Sequence, residues 1–474
     1  MRHFFDWYYE QRQPEQPWLI LGKGPSFDRR QDYSLGDFKL LSLNHAVREL
    51  PVTAAHVIDI DVLDACPEAF KKNAGILVMP WYPHVRNSVG DKTLEQWAAD
   101  IPLLKSLNAQ GRLCWYDLRT SKRRHGDRPV IQATWFSAEA ALSLLALAGA
   151  RTVRSLGVDG GASYGKAFDD LKGVTLLANS HASFDRQFDS IAQIILKTGV
   201  DFAPLTLDSP VRVYVGSEEP QMLAVKVLEY SIRRHASMTV EVMPLHRADI
   251  RFPMPRDARN KPRTPFSFLR FTIPQLAGYR GRAIYLDSDM LVFKDIRQLW
   301  SLPFAGAQLL AAREPGDSAR KPQFSVMLLD CDQLRWTPES VVGLLDSGTL
   351  TYEQLMHEMA LTPAVSAAID PAWNSLERYQ PEQTALLHYT DMDRQPWVST
   401  RNPHGHLWVE ALLQAIAGGF IDEALVREHV ERGWVRPSLL WQVRRRKARL
   451  GPLQRARARF LDRKFVAPYR QLLT

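Results

Sequence analysis

Residues 281–296 read GRAIYLDSDMLVFKDI. Residues 283–286 are bulky and apolar, as in a buried strand, and the run closes on Asp287, Ser288 and Asp289. In an extended chain, residues two apart face the same way. Both carboxylates then address one point while Ser288 turns aside. Paired carboxylates that stay ionised suit a hard divalent cation, which keeps open positions for phosphate oxygens. Departure of a nucleotide diphosphate needs such a charge. Asp and Ser also form ordinary surface turns, the competing reading. The second apolar run, 290–293, favours a buried strand end.

Around this stretch the chain reads as two α/β halves. Its 474 residues exceed one ordinary core, so two domains and a tail are expected. WLILG, FKLLSLN, AHVIDID, GILVMP, RLCWYDL and RTVRSLGVDG read as buried strands of a mostly parallel sheet. FSAEAALSLLALAGA between two of them is an apolar helix, with Ser137 expected as its cap and Gly149 near its end. DFAPLTLDSP reads as a linker. VRVYVGS, QMLAVKVLEYSIRRHA and TVEVMPL then open a second strand–helix–strand series. The expected division is 1–205, 206–420 and a basic helical tail, 421–474. Cys66, Cys114 and Cys331 follow no metal or redox spacing and read as reduced thiols. No signal peptide and no bilayer-spanning run is apparent, so a cytoplasmic location is expected.

The stretch Phe268–Trp300, FLRFTIPQLAGYRGRAIYLDSDMLVFKDIRQLW, resembles glycosyltransferase family 8. The matching residues are Arg270, Asp287, Asp289, Asp295, Ile296 and Leu299. VRVYVGSEEPQMLAVKVLEYSI resembles the family's first strand, nucleotide-contacting loop and first helix. QFSVMLLDCDQLRW resembles its sugar-side strand, PAWNSLERY carries its Trp-Asn pair, and HYTDMDRQPW resembles its closing motif. The resemblance implies a GT-A fold and a catalytic set of Arg270, Asp287, Asp289 and Gln323. It places a nucleotide sugar against Gly216, Ser217, Glu218, Arg394, Gln395 and Trp397. It also makes His388 the third metal ligand after Asp287 and Asp289. An imidazole in a mixed set suits Mn²⁺ better than Mg²⁺. Two departures stand out. Gln395 replaces the family's lysine before Pro-Trp, with Arg394 the adjacent cation, and Gln323-Phe324-Ser325 replaces its Asn-Ala-Gly or Asn-Ser-Gly.

In the first half, LGKGPSFD follows the first strand. Gly22 and Gly24 permit a tight turn, Pro25 suits a helix start, and exposed amides there would hold phosphate. A plain strand-to-helix turn fits equally, and no dinucleotide fingerprint is present. WLILGKGPSFD, SLNHA and ATWFSAEAALSLLALAGARTVRSLGVDGG resemble sialyltransferase family 42 and the Rossmann-like domain of motility-associated flagellin glycosylation proteins. That resemblance implies a nucleotide pocket of Gly22, Gly24, Pro25, Ser26, Asn44, Gly157, Asp159 and Gly160. His181 could serve as a general base, but an ordinary loop histidine fits better.

Residues 436–474 hold twelve Lys or Arg against one Asp, more than the whole net charge of +8. Arginines alternate with Leu, Trp, Phe and Val, a pattern suited to an anionic membrane surface. A helix packed on the catalytic domain is the alternative, and no base-reading module suggests nucleic acid. The sequence thus leads to a metal-dependent, retaining glycosyltransferase. It would use Mn²⁺ (or Mg²⁺), a UDP-sugar and a glycan or lipid-linked acceptor such as that of lipopolysaccharide, and would sit peripherally on the inner membrane face. A bifunctional synthase and a non-catalytic carbohydrate-binding protein are the alternatives. A sugar nucleotidyltransferase would need a Gly-rich loop where VYVGSEEP stands.

Overall fold

The computed structural model describes residues 1–11, 15–172, 182–264, 266–312 and 324–471. It divides into two compact units, residues 1–209 with 237–239, and residues 210–236 with 240–474.

The first unit is built on eight parallel strands. They are β1 (Arg2–His3), β2 (Trp18–Leu21), β3 (Lys39–Leu43), β4 (Val52–His56), β5 (Ala74–Pro80), β8 (Leu113–Tyr116), β9 (Thr152–Leu156) and β10 (Asp201–Pro204). A small hairpin, β6 (His84–Val85) with β7 (Ser88–Val89), follows β5. The spatial order is β1-β8-β5-β4-β3-β2-β9-β10. The chain moves outward from β2 on one side, then returns to lay β9 on the other. Ligands of open α/β sheets lie beyond the strand ends at such a reversal. Both faces are covered, as the continuous apolar strands require: Ile20, Val78 and Val153 pack on one side, Leu19, Leu77 and Leu156 on the other.

Two local expectations change here. DFAP is β10, paired in parallel with β9, so that part of the expected linker is an edge strand. Ser137 is the first residue of the helix Ser137–Ala148 rather than its cap, and Gly149 ends it in the left-handed conformation at φ +99°. The buried Glu139 carboxylate accepts the amides of Thr134, Trp135 and Phe136, tying the segment before the helix to its first turn.

The second unit has a mixed six-stranded sheet. Its strands are β11 (Val211–Gly216), β12 (Val240–Pro244), β13 (Arg282–Asp287), β15 (Leu309–Ala312), β16 (Val326–Asp330) and β17 (Val365–Ile369), ordered β12-β11-β13-β16-β15-β17. Parallel pairing of β11 with β13 sets Gly216 opposite Asp287. A second, three-stranded sheet joins β14 (Met290–Val292), β18 (Ser375–Leu376) and β19 (Leu386–His388). Helices Gly405–Ala417, Glu423–Glu431, Pro437–Arg444, Pro452–Leu461 and the short Pro468–Gln471 complete the described C-terminal part of this unit. No helix among the described residues is long and apolar enough to cross a membrane.

Candidate metal and nucleotide site

β13 carries its apolar residues into the core and ends at Asp287. The chain turns at Ser288, whose amide donates to the Gly216 carbonyl at 3.2 Å, and re-enters a strand at Met290. Antiparallel β14 and β19 set Met290 opposite His388, and the Tyr389 amide donates to the Asp289 carbonyl at 2.8 Å. Two strand ends remote in sequence therefore meet. One ligand-capable atom from each of Asp287, Asp289 and His388 lies within 4.8 Å of the others.

The neighbours fix these groups. Tyr285, two residues before Asp287 and on the same strand face, donates its hydroxyl to Asp287 Oδ1 at 2.6 Å. Arg270, in the short helical turn Leu269–Thr272, places Nη2 3.8 Å from Asp287 Oδ1 and its guanidinium 4.6 Å over the Tyr285 ring. It also donates to the carbonyls of Ser267 and Phe324. A buried cation with an aromatic face and carbonyl partners holds the carboxylate without quenching both oxygens. Gly216 has a packing reason to be glycine, because a Cβ there would overlap the Tyr285 hydroxyl.

The donor set fits a metal ion. His388 Nδ1 lies 2.9 Å from Asn374 Oδ1, which holds that nitrogen as the donor and leaves Nε2 on the carboxylate side. Nε2 faces Asp289 Oδ1 at 3.0 Å, a pair that needs a proton or a metal ion between nitrogen and oxygen. A bound metal ion would take the place of that proton. Burial alone would lower the His388 pKa, but the carboxylates of Asp289 and Asp287 outweigh it and raise the value. The same attraction would act on a divalent ion.

The other anticipated contacts separate. Gln395 turns inward, donating to Asp289 Oδ2 at 2.9 Å and to the Tyr389 carbonyl at 3.2 Å. A neutral amide thus orients a ligand carboxylate where a cation was the family expectation. Arg394 points to the surface and pairs with Asp391 at 3.4 Å. Trp397 is only 4% exposed and packs on Trp408 at 5.3 Å between ring centres, a core role rather than an open nucleotide platform. The Ser217 hydroxyl shares a 2.9 Å hydrogen bond with His246. Burial raises the Glu218 carboxyl's pKa against the opposing pull of His246. Glu219 pairs with Arg247 at 2.8 Å and with His246 at 3.0 Å. Gln323 and His181 lie outside the described residues.

The first unit has a cavity of about 920 Å³ at the expected reversal. Gly22, Gly24, Asn44, Gly157, Asp159 and Gly160 line it, with Lys23, His45, Asp59 and His84. Pro25 and Ser26 are not part of its wall. The expectation of free phosphate-binding amides is corrected. The Gly22 amide donates to the Leu156 carbonyl, Gly24 to the Gly157 carbonyl and Ser26 to the Asp159 carboxylate, each at 2.7–2.8 Å. The glycines are needed for close approach, since a Cβ at Gly22 or Gly157 would overlap the other's carbonyl oxygen. Lys23 and Arg86 are the lining cations, and burial lowers the Lys23 amine to a pKa of about 8.

Residues 210–337 match the family model described as Glycosyl transferase family 8. Protein CDI of Arabidopsis thaliana is 36% identical over 95 residues, 20% of this chain and 37% of that protein. Glycosyltransferase 8 domain-containing protein 1 of Xenopus tropicalis is 39% identical over 62 residues, 13% of this chain and 17% of that protein. The matched stretches thus span 37% and 17% of the lengths of these curated relatives. The apo-form glycosyltransferase GlyE of Streptococcus pneumoniae is 17% identical with a TM-score of 0.34, over 47% of this chain and 64% of that chain. The segment that matches the glycosyl transferase family 8 model, 210–337, lies within the second unit apart from residues 237–239.

Proposed function

We propose that the second unit is a metal-dependent glycosyltransferase that moves a sugar from a nucleotide diphosphate, a UDP-sugar, to a glycan or glycolipid acceptor. One observation carries this reading. His388, beyond the matched segment 210–337, meets Asp287 and Asp289 from inside it. A bound Mn²⁺ would supply positive charge for the departing diphosphate. Asp287, Asp289 and His388 would hold it, Gln395 and Asn374 would fix the orientation of Asp289 and His388, and Arg270 would fix Asp287. Retention of anomeric configuration is the expectation from family resemblance. Calorimetry with UDP, with and without Mn²⁺, tests the reading. Binding that requires the metal supports it, and metal-independent or absent UDP binding sinks it. A donor-hydrolysis screen over several nucleotide sugars then identifies the sugar.

Attachment to an anionic membrane surface belongs to the same proposal. Leu453, Phe460 and Val466 are 88%, 64% and 51% exposed, and arginines flank them in sequence. Such a surface suits peripheral attachment on the inner membrane face. The cavity at the sheet reversal of the first unit favours a second reading, a bifunctional synthase with another nucleotide site. Cytidine nucleotide binding that persists in Asp289→Ala under a chelator would support it.

A further inference from the structure

A cavity of about 660 Å³ lies in the second unit between the segment 394–406 and the helices Pro437–Arg444 and Pro452–Leu461. Its lining includes six arginines and no carboxylate. Arg401, Arg449, Arg455 and Arg459 are exposed, and none of the four pairs with a carboxylate among the described residues. Arg449 donates to His406 Nε2 at 3.1 Å, and Arg455 donates to the Leu450 carbonyl at 3.1 Å, so neutral groups hold these two guanidinium heads.

Arg436 also lines the cavity and is 1% exposed. It donates to the Pro396 carbonyl at 2.9 Å and to the side-chain oxygens of Ser438 and Gln442. Burial depresses its pKa to about 10, with Asp462 opposing the shift. Asp462 lies outside the lining, bonded to the Ser438 amide at 2.8 Å and to its hydroxyl. The thirteen-residue helix Gly405–Ala417 begins in the wall, with Gly405 and His406 among the lining residues. A helix start adds partial positive charge to the same concavity. Clustered guanidinium groups repel one another, so an uncompensated cluster is poised for an anion with several oxygens.

We propose that this arginine-lined cavity is a phosphoryl-binding site, distinct from the Asp287–Asp289–His388 cluster, that takes a phosphomonoester or diphosphate group. The size suits a small phosphorylated group rather than a single water-sized ion. Arg394 and Pro396 line the cavity while Gln395 between them reaches Asp289. An occupant would therefore brace the segment that orients a candidate metal ligand.

The test uses the full chain and inorganic pyrophosphate, with a chelator present so that no divalent ion can recruit the probe to the carboxylate cluster. Calorimetry should give one site that weakens as salt rises. Arg401→Gln with Arg455→Gln should lower the affinity tenfold or more, since each charge-assisted hydrogen bond contributes about that factor. Arg401→Lys with Arg455→Lys should retain more of it, because charge survives while the fork geometry is lost. Both positions are exposed, and unchanged circular dichroism would verify folding. Absence of pyrophosphate binding, or equal affinity in the Gln double variant, overturns the proposal.

Two sources of phosphate separate in a second arm. Phosphatidylcholine vesicles containing phosphatidic acid are added to the pyrophosphate complex. Displacement of pyrophosphate, lost in the Gln double variant, assigns the site to a lipid headgroup. Retention of pyrophosphate by vesicle-bound protein assigns it to a soluble phosphorylated molecule. Either result upholds a phosphoryl site.

Discussion

His388 takes its role from the atom behind its ring. Asn374 holds Nδ1 and leaves Nε2 aimed at Asp289, while Gln395 holds the other oxygen of Asp289. Asp289→Ala should abolish Mn²⁺-dependent UDP binding with the fold intact, and unchanged affinity would remove the metal-site assignment. Gln395→Ala should weaken the same binding about 10- to 100-fold, the usual cost of losing a group that orients a ligand. A loss under twofold would mean that Asp289 needs no such support. Lys23 offers a separate check in the first unit. With a pKa of about 8, roughly half of its amine is uncharged at that pH, against well under 1% for an ordinary lysine. Reductive methylation at pH 8, mapped by mass spectrometry, should therefore modify Lys23 ahead of surface lysines. Labelling no faster than theirs would count against the lowered pKa. The aspartate pair was legible because strand alternation places both carboxylates on one face, and the same alternation would have found Tyr285. Asn374 and Gln395 were legible only as motif members, because their partnerships depend on strands brought together from far along the chain.

Elements were legible where their patterning was self-sufficient and misread where a neighbour decided. Five apolar runs of the first half hold strands where they were expected, whereas AHVIDID overlaps its strand only at Ala55 and His56, because β4 begins earlier, at Val52. The glycine turn after β2 resembled a phosphate cradle, but Leu156 at the end of β9 and Gly157 and Asp159 just after it take the amides of Gly22, Gly24 and Ser26, and nothing local to LGKGPSFD reveals that. The tail divides in the same way. Helix Pro437–Arg444 buries Leu439 and Val443, whereas helix Pro452–Leu461 buries Ala458 and leaves Leu453 and Phe460 outward. Both segments mix arginine with apolar residues, so composition alone could not separate the packed helix from the exposed one. A chain ending near Trp434 would lose Arg436 and its bonds to the 396–397 backbone, and should melt at a lower temperature. A chain ending at Leu450 loses Asp462 and its bonds to Ser438, so it should melt somewhat below the full-length chain while staying folded, and it should lose most binding to anionic vesicles in co-sedimentation. Equal vesicle binding by the Leu450-terminated and full-length chains would show that the last helices are not the anchor.

For the whole molecule, the question is whether each unit carries its own stability. The second unit has a core of its own, in which Tyr285, Met327 and Leu329 from the sheet pack with Phe268, Phe271 and Leu355. The three metal-site residues and the groups that orient them all lie after Pro210 in that unit. The division falls between Ser209 and Pro210, after β10 has completed the first sheet, although residues 237–239 group with the first unit. Burial of a separate core is the physical condition for independent folding. A chain running from Leu205 to Thr474 should therefore be soluble, unfold in one cooperative transition and bind UDP with Mn²⁺ within about threefold of the full chain, since ΔΔG below about 1 kcal/mol corresponds to a factor of that order. Insolubility under mild conditions, or a broad non-cooperative melt, would mean that the 237–239 segment ties the second fold to the first. Cooperative folding with lost UDP binding would instead locate part of the nucleotide site before Leu205, and the metal cluster alone would no longer account for recognition.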